Sequence, residues 1–341
     1  MPEQPDKKMK NDKIGFFDLG VAYQCNYRCL MCRFWDNSPL NKDNILSMDD
    51  WIKVLGQMKD IADDICKVNF SGPGEPLLRE GVFGLIKHAK ALGFCTQLIS
   101  NGSVVDEVKA ERIIDSGLDF ISFSLDSLRP GIHDRLRGVD NAYEKVLKAV
   151  DNIVRFRTAD KNTRIGINTV ISGLNLDDII ELTEWVQNNE EIAFINFQAV
   201  AEPFSYNDRE GIWFEDPVYQ DLWPKDIQKV NEVMGTLISL KEKGYKIADE
   251  AEQFRVFKRY FGNPLEFIKK ARCNLVYAPV LNIDPAGNIA RCQMIGPIGR
   301  VAGNMRLKDI YYSDKAQEHI SRIGQCERNC HLVVSCYFEQ E

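Results

Sequence analysis

The chain has 341 residues, 44% of them hydrophobic, and a formal charge of −7 at pH 7. That is enough apolar material for one large domain or two, and an acidic balance without clustered Lys and Arg argues against a nucleic-acid partner. No stretch approaches the roughly 20 apolar residues of a membrane span, and Met1 to Lys13 is too polar for a secretory signal.

Ten cysteines without such a signal point to a reducing, cytoplasmic compartment and to metal or cluster ligation in place of disulfides. Ile14 to Val21 reads as a first strand. Directly behind it, Tyr23-Gln24-Cys25-Asn26-Tyr27-Arg28-Cys29-Leu30-Met31-Cys32-Arg33 sets three cysteines at C-x3-C-x2-C spacing. Thiolates so close in sequence can wrap one small polynuclear centre, and three of them leave the fourth iron of a cubane open to a substrate or cosubstrate. Zinc fits less well, since it takes four ligands and commonly uses paired C-x2-C knuckles; three buried thiols are the other alternative.

Beyond the triplet, short β-rich runs alternate with amphipathic helical stretches up to about residue 235. The later strands are Lys67 to Phe70, Thr96 to Ser100, Phe120 to Leu125, Arg164 to Ile171 and Ile192 to Ala199. Between them lie helical patterns: Trp51, Val54, Leu55 and Met58 behind a Ser47 cap with Asp50; Val82, Leu85, Ile86 and Ala89; Val108, Ile113 and Ile114; Tyr143, Val146, Leu147, Val150 and Ile153; Ile179, Leu182, Thr183 and Val186. Cys66 and Cys95 adjoin strands and read as core residues. Six such units mean parallel strands with right-handed helical crossovers, in an open sheet or a curved partial barrel. Trp213 to Pro224 interrupts the alternation, and its Trp213, Phe214, Tyr219 and Trp223 suit either a sugar-stacking wall or packing at the open side. Helices follow from Pro224 to Lys243 and over 250–270. Ala278 to Asp284, a Pro285-Ala286-Gly287 turn and Asn288 to Met294 then read as a hairpin.

The triplet behind a first strand resembles the radical S-adenosylmethionine (SAM) superfamily. The resemblance implies an α/β fold: a (β/α)6 partial TIM barrel over 14–235, a helical linker over 236–270, and a small α+β module over 271–341. It also implies that Cys25, Cys29 and Cys32 hold a [4Fe-4S] cluster whose open iron is chelated by the amino and carboxylate groups of SAM. An electron from a flavodoxin- or ferredoxin-type reductant then splits SAM into methionine and a 5'-deoxyadenosyl radical that takes a substrate hydrogen atom. Phe70-Ser71-Gly72-Pro73-Gly74-Glu75-Pro76 stands where the family's Gly-Gly-Glu-Pro motif stands, one residue wider; Gly74 and Glu75 take its role at the SAM amino group, Gly74 through its backbone. Ser100-Asn101-Gly102 offers short polar groups at a strand end, Asn101 among the SAM contacts. Ser124 and Asp126 share a strand face and match the family's S-x-D, and Arg135 or Arg137 is expected at the SAM carboxylate. Asn168 and Val170 are expected near adenine and Gln198 near substrate. Met31 stands where the family usually has an aromatic residue and supplies an adaptable apolar contact.

Cys273-x13-Gly287-x4-Cys292, followed by Cys326-x3-Cys330-x5-Cys336, resembles the SPASM or twitch pattern of auxiliary iron-sulfur ligands. The chain ends at Glu341 without the cysteines for two further clusters, so one auxiliary [4Fe-4S] cluster is expected, with a structural zinc site as the rival. The expected activity is hydrogen abstraction leading to oxidation, epimerisation or cross-linking of a small molecule, carbohydrate or peptide. Only 24 residues precede Cys25, which leaves no room for a fused leader-binding domain and tilts the expectation to a small or sugar substrate. A non-catalytic iron-sulfur electron carrier or zinc-stabilised binding protein is the alternative from another class.

Overall fold

The computed structural model describes residues 13–35, 45–203, 212–270, 273–276, 279–292, 294–301, 305–326 and 334. Its centre is one nine-stranded sheet. Strands β1 (Ile14–Gly20), β2 (Ala62–Ser71), β3 (Cys95–Ser100), β4 (Phe120–Ser124), β5 (Arg164–Ile171) and β6 (Ile192–Ala199) are parallel and pair in chain order. Between them run helices α1 (Met48–Met58), α2 (Val82–Ala91), α3 (Glu107–Asp115), α4 (Pro130–Arg137), α5 (Ala142–Phe156) and α6 (Ile179–Asn188). These alternating units are a partial barrel of (β/α)6 type, as the family resemblance implied; the strand and helix periods alone fitted an open sheet equally well.

Local chemistry explains the elements. Ser47 and Asp50 close a capping box on α1, and Trp51, Val54, Leu55 and Met58 bury its apolar stripe. Along β1, Phe17 and Leu19 are fully buried while Phe16 and Asp18 alternate onto the other, half-buried face. At the amino end of the strands Phe120 and Phe194 meet with ring centroids 6.3 Å apart, and the Lys67 and Arg164 cations lie 5.6 and 4.3 Å from the Phe120 centroid. Gly166 makes room for this floor, because a Cβ there would sit 2.3 Å from the Phe194 ring. In barrels of parallel strands the chemistry collects at the other end, at the carboxyl ends of the strands.

After β6 come α7 (Ile227–Glu242), α8 (Ala251–Gly262) and α9 (Pro264–Lys270). Helix α7 runs unbroken through residues 235 and 236, where the sequence reading set its first boundary. The hairpin expected near residue 280 forms β7 (Val280–Ile283) and β8 (Asn288–Ala290), turning at Gly287 with φ 84°. It extends the barrel sheet: β7 pairs parallel with β1, and β8 and β9 (Gly299–Arg300) follow antiparallel. Helices α10 (Leu307–Tyr311) and α11 (Asp314–Gly324) complete the described chain. The 213–223 aromatics pack: Trp213 and Tyr219 are buried, Phe214 stacks on Trp223 at 4.3 Å, and Trp223 meets Tyr260 and Phe261 of α8 edge-on. Among the described residues no helix is long and apolar enough to cross a membrane.

Candidate functional site: the cysteine loop and the barrel mouth

The loop carrying Cys25, Cys29 and Cys32 leaves the carboxyl end of β1 and is held by backbone on two sides. On one side Gly74 and Glu75 donate their N–H groups to the carbonyls of Ala22 and Gln24, at 2.9 and 2.8 Å. A Cβ on Gly74 would lie 2.4 Å from the Gln24 oxygen, so only glycine permits this approach. On the other side Arg28 and Leu30 donate to the carbonyls of Arg137 and Leu136, at 3.1 and 2.9 Å. Those are end carbonyls of α4, which a helix terminus leaves without an internal partner. Gly138 follows at φ 66°, where a Cβ would meet the Arg28 oxygen at 2.1 Å.

Two side chains brace the same loop. Asn101 donates to Asn26 at 3.1 Å while its own N–H is held by Glu75, and Arg33 donates to the Tyr219 hydroxyl at 2.6 Å. The three thiols are half-buried and act on one another electrostatically. Burial pushes all three up, Cys32 to about 12, with the neighbouring Cys29 adding to the rise. Arg137 opposes this at Cys29, to which it donates. Among the described residues no group of three His, Cys, Asp or Glu is gathered as a preformed metal-ion site. The donor set itself, three thiols on one clamped loop at a barrel mouth beside a buried guanidinium, fits an iron-sulfur cluster with one open corner.

The residues expected around SAM separate into two groups. Glu75 is buried and committed within the protein: it accepts from Leu77 N–H at 3.1 Å, Ser100 Oγ at 2.8 Å and Asn101 N–H at 2.8 Å. Asp126 is likewise fully buried, accepting from Val170 N–H at 3.0 Å with Arg137 Nε at 2.8 Å from its other oxygen. Both therefore tie the strand ends together, and Glu75 holds Asn101 against the loop. Burial keeps His133 neutral, so its Nδ1 accepts from Asp126 N–H at 3.1 Å. Arg135 points away from the site, half exposed and paired with Asp221 at 2.7 Å, whereas Arg137 turns inward. Helical geometry explains the split, since positions two apart face different sides.

The second group lies open on the concave face. Ser124, Asn168 and Asn196 stand in register across β4, β5 and β6, each half-buried, and Val170 pairs with the exposed Gln198. A parallel row, Asn282, Asp18, Asn69 and Gln97, crosses β7, β1, β2 and β3. The sequence reading overlooked Asp18; an acid inside the apolar run Phe16-Phe17-Asp18-Leu19 was the available signal. Beside it a cavity of about 380 Å³ opens between the cysteine loop, through Tyr23 and Phe34, and the β7–β8 hairpin, through Asn282, Asp284 and Asn288.

Cys273 and Cys292 are both buried in a second apolar cluster with Val256, Leu275 and Ile323. Cys292 donates its N–H to Nε2 of the buried His319 at 3.2 Å, a positioning residue the sequence reading did not single out. Cys326 is half-buried just past α11. Cys330 and Cys336 lie outside the described residues. Cys66 is buried and Cys95 half-buried, both away from the loop on β2 and β3.

Residues 20–186 match the Radical SAM superfamily. Over 172 residues the chain is 31% identical to a PqqA peptide cyclase from Bradyrhizobium diazoefficiens, covering 48% of this chain and 43% of that protein. Over 197 residues it is 28% identical to a GTP 3',8-cyclase from Clostridium perfringens, covering 56% of this chain and 57% of that one. The chain thus spans about half the length of these curated relatives. In fold it is similar to Streptococcus suis SuiB bound to S-adenosylmethionine, with a TM-score of 0.65 at 16% identity over 95% of this chain and 72% of that one. It is also similar to anSMEcpe bound to AdoMet and a Cp18Cys peptide, with a TM-score of 0.62 at 18% identity over 94% and 87% of the two chains.

Proposed function

Because residues 20–186 match the Radical SAM superfamily, we propose that the chain is an enzyme that reductively cleaves SAM and abstracts a substrate hydrogen atom, and that it oxidises, epimerises or cross-links that substrate. The observation that carries this reading is the double backbone clamp on the cysteine loop, from Gly74 and Glu75 on one side and the α4 carbonyls on the other. It fixes three thiols at the mouth of a barrel, where the ends of parallel strands collect chemistry. When bound at Cys25, Cys29 and Cys32, a [4Fe-4S] cluster supplies the electron for SAM cleavage from a flavodoxin- or ferredoxin-type donor.

This chain's own residues do the rest. Gly74 presents backbone close to the loop for the amino group of SAM. Ser124, with Asn168 beside it in register, offers polar groups to the nucleoside part. Arg137 supplies the fixed positive charge next to Cys29, in the place the sequence reading gave first to Arg135, while Glu75, Asn101 and Asp126 act by positioning. The aromatic pair Phe120 and Phe194 fills the amino end of the strands, and substrate enters from the mouth at the carboxyl ends.

For the C-terminal region we propose a SPASM- or twitch-type module over 271–341, joined to the 14–235 core through 236–270. Cys273 and Cys292, which share one buried cluster, would hold an auxiliary [4Fe-4S] centre with two of Cys326, Cys330 and Cys336. The relatives and fold neighbours include peptide-directed proteins, so a peptide stands beside a small molecule or sugar as substrate.

Anaerobic reconstitution followed by SAM and a strong reductant tests the reading. The wild type is expected to form 5'-deoxyadenosine, and the Cys25→Ala, Cys29→Ala, Cys32→Ala triple variant to form none while retaining iron and sulfide for one cluster. A wild type with full iron content that leaves SAM intact would favour the electron-carrier alternative.

A further inference from the structure

One polar row of the concave face has more acceptors than donors. Asp18 Oδ1 accepts from Asn69 Nδ2 at 2.7 Å and from Ser71 Oγ at 2.6 Å. Its Oδ2 has no hydrogen-bond partner among the described residues. Asn69 is 4% exposed, and its Oδ1, turned away from the amide nitrogen that meets Asp18, is buried with no partner among them. An unpaired buried acceptor is costly, and the one on Asn69 adjoins the half-buried Asp18 carboxylate, whose second oxygen is also without a donor, so the spot is built for donors.

The cavity beside them reinforces this. At about 380 Å³ it has the volume of a small-ligand site. Among the described residues no Lys, Arg or His lines it, and its second carboxylate is already satisfied. Asp284 accepts from the N–H groups of Ala286 and Asn288, from Asn288 Nδ2 and from the Tyr23 hydroxyl. Asp18 is thus the lining carboxylate with capacity to spare, set where desolvation strengthens an opposite charge.

We propose that the substrate carries a cationic nitrogen, an ammonium or a guanidinium, that enters this cavity and pairs with Asp18, so that Asp18 is a specificity-determining residue. The proposal rests on the radical SAM reading for the identity of the site and adds the charge of what fills it. A cation brings the donor that the second oxygen of Asp18, the lining residue, lacks and needs no further protein charge. A carboxylate or phosphate would face repulsion from Asp18 with no lining cation to offset it.

The test is calorimetric titration of the reconstituted full-length protein with 1,4-diaminobutane, agmatine and the neutral isostere 1,4-butanediol. The cations are expected to bind the wild type at least about tenfold more tightly than the diol, and Asp18→Asn to lose that margin, one tenfold step being about 1.4 kcal/mol. Equal affinity of the diol and the diamine for the wild type would overturn the proposal, as would an Asp18→Asn protein that keeps the margin. The wild-type comparison needs no variant, so it decides even if Asp18→Asn does not fold. Formation of 5'-deoxyadenosine by the same preparation tests the radical reading separately; absent cation selectivity with that reaction intact sinks only the present proposal.

Discussion

Replacing Gly74 with Ala probes the loop clamp with one methyl group. The new Cβ would stand 2.4 Å from the Gln24 oxygen and 2.6 Å from the Tyr23 carbonyl carbon, so the GPGEP turn and the cysteine loop must separate by most of an ångström. Separation strains two backbone bonds, Gly74 N–H to Ala22 and Glu75 N–H to Gln24. Overpacking costs about 1–3 kcal/mol and each lost bond about 0.5–1.5 kcal/mol, so Gly74→Ala should lower stability by about 2–6 kcal/mol in urea melts of cluster-free protein. Gly84 in α2 is the control, since a Cβ there meets nothing within 4 Å; Gly84→Ala should stabilise by about 0.5–1 kcal/mol through helix propensity. Iron retention should fall in Gly74→Ala and hold in Gly84→Ala. If Gly74→Ala stays within about 0.5 kcal/mol of wild type, as an unconstrained surface change would, the clamp is not what fixes the loop.

Three further outcomes follow from the same geometry. Arg137→Ala strands the buried Asp126 carboxylate and should cost about 3–5 kcal/mol, while Arg135→Ala, which breaks only an exposed pair with Asp221, should cost less than about 1 kcal/mol; denaturation of both variants checks the contrast. Burial raises the Asp249 carboxyl to about 7 from 3.8, against the hydrogen bond it accepts from Phe197 N–H. The folded state therefore holds that proton more tightly than the unfolded chain, so its contribution is full below the unfolded value and is lost as pH rises through the folded one. Asp249→Asn should flatten that part of the pH profile, worth at most about 4 kcal/mol, in urea melts taken across the window. Glu75→Gln replaces an acceptor-only group that takes three donors and should cost about 1–3 kcal/mol, with looser seating of Asn101 seen as lost protection of its amide from hydrogen exchange.

Much of the fold was legible because strand and helix periods in this chain agree with their burial. Phe17 and Leu19 bury while Asp18 does not, and Trp51, Val54, Leu55 and Met58 keep helical spacing. What a motif residue touches was less legible. Glu75 and Asp126 stood at the right strand ends, but a sequence does not show that their carboxylates turn inward onto Asn101 and Arg137. Choosing between Arg135 and Arg137 needed the rotation of α4 about its axis, which two residues change by about 200° at 3.6 residues per turn. Nor does a sequence show that a hairpin near residue 280 lands on β1, because pairing between residues so far apart is decided by the closed sheet and not by local pattern.

The clamp also bears on why so much backbone is spent on one loop. Three thiols in a half-buried loop resist ionisation, and Arg137 is the cation that opposes this at Cys29. Ligation of iron needs thiolates, so part of the binding free energy goes into removing their protons. A loop that also had to be ordered at that moment would lose about 1–2 kcal/mol of backbone entropy per residue on top. Holding Arg28 and Leu30 on the α4 carbonyls, and Gln24 on Glu75, settles that ordering during folding of the barrel. Substitutions at Gly74 or Gly138, which bear no ligand, should therefore weaken iron binding without touching a thiol, whereas one at the open position Gly84 of α2 should not.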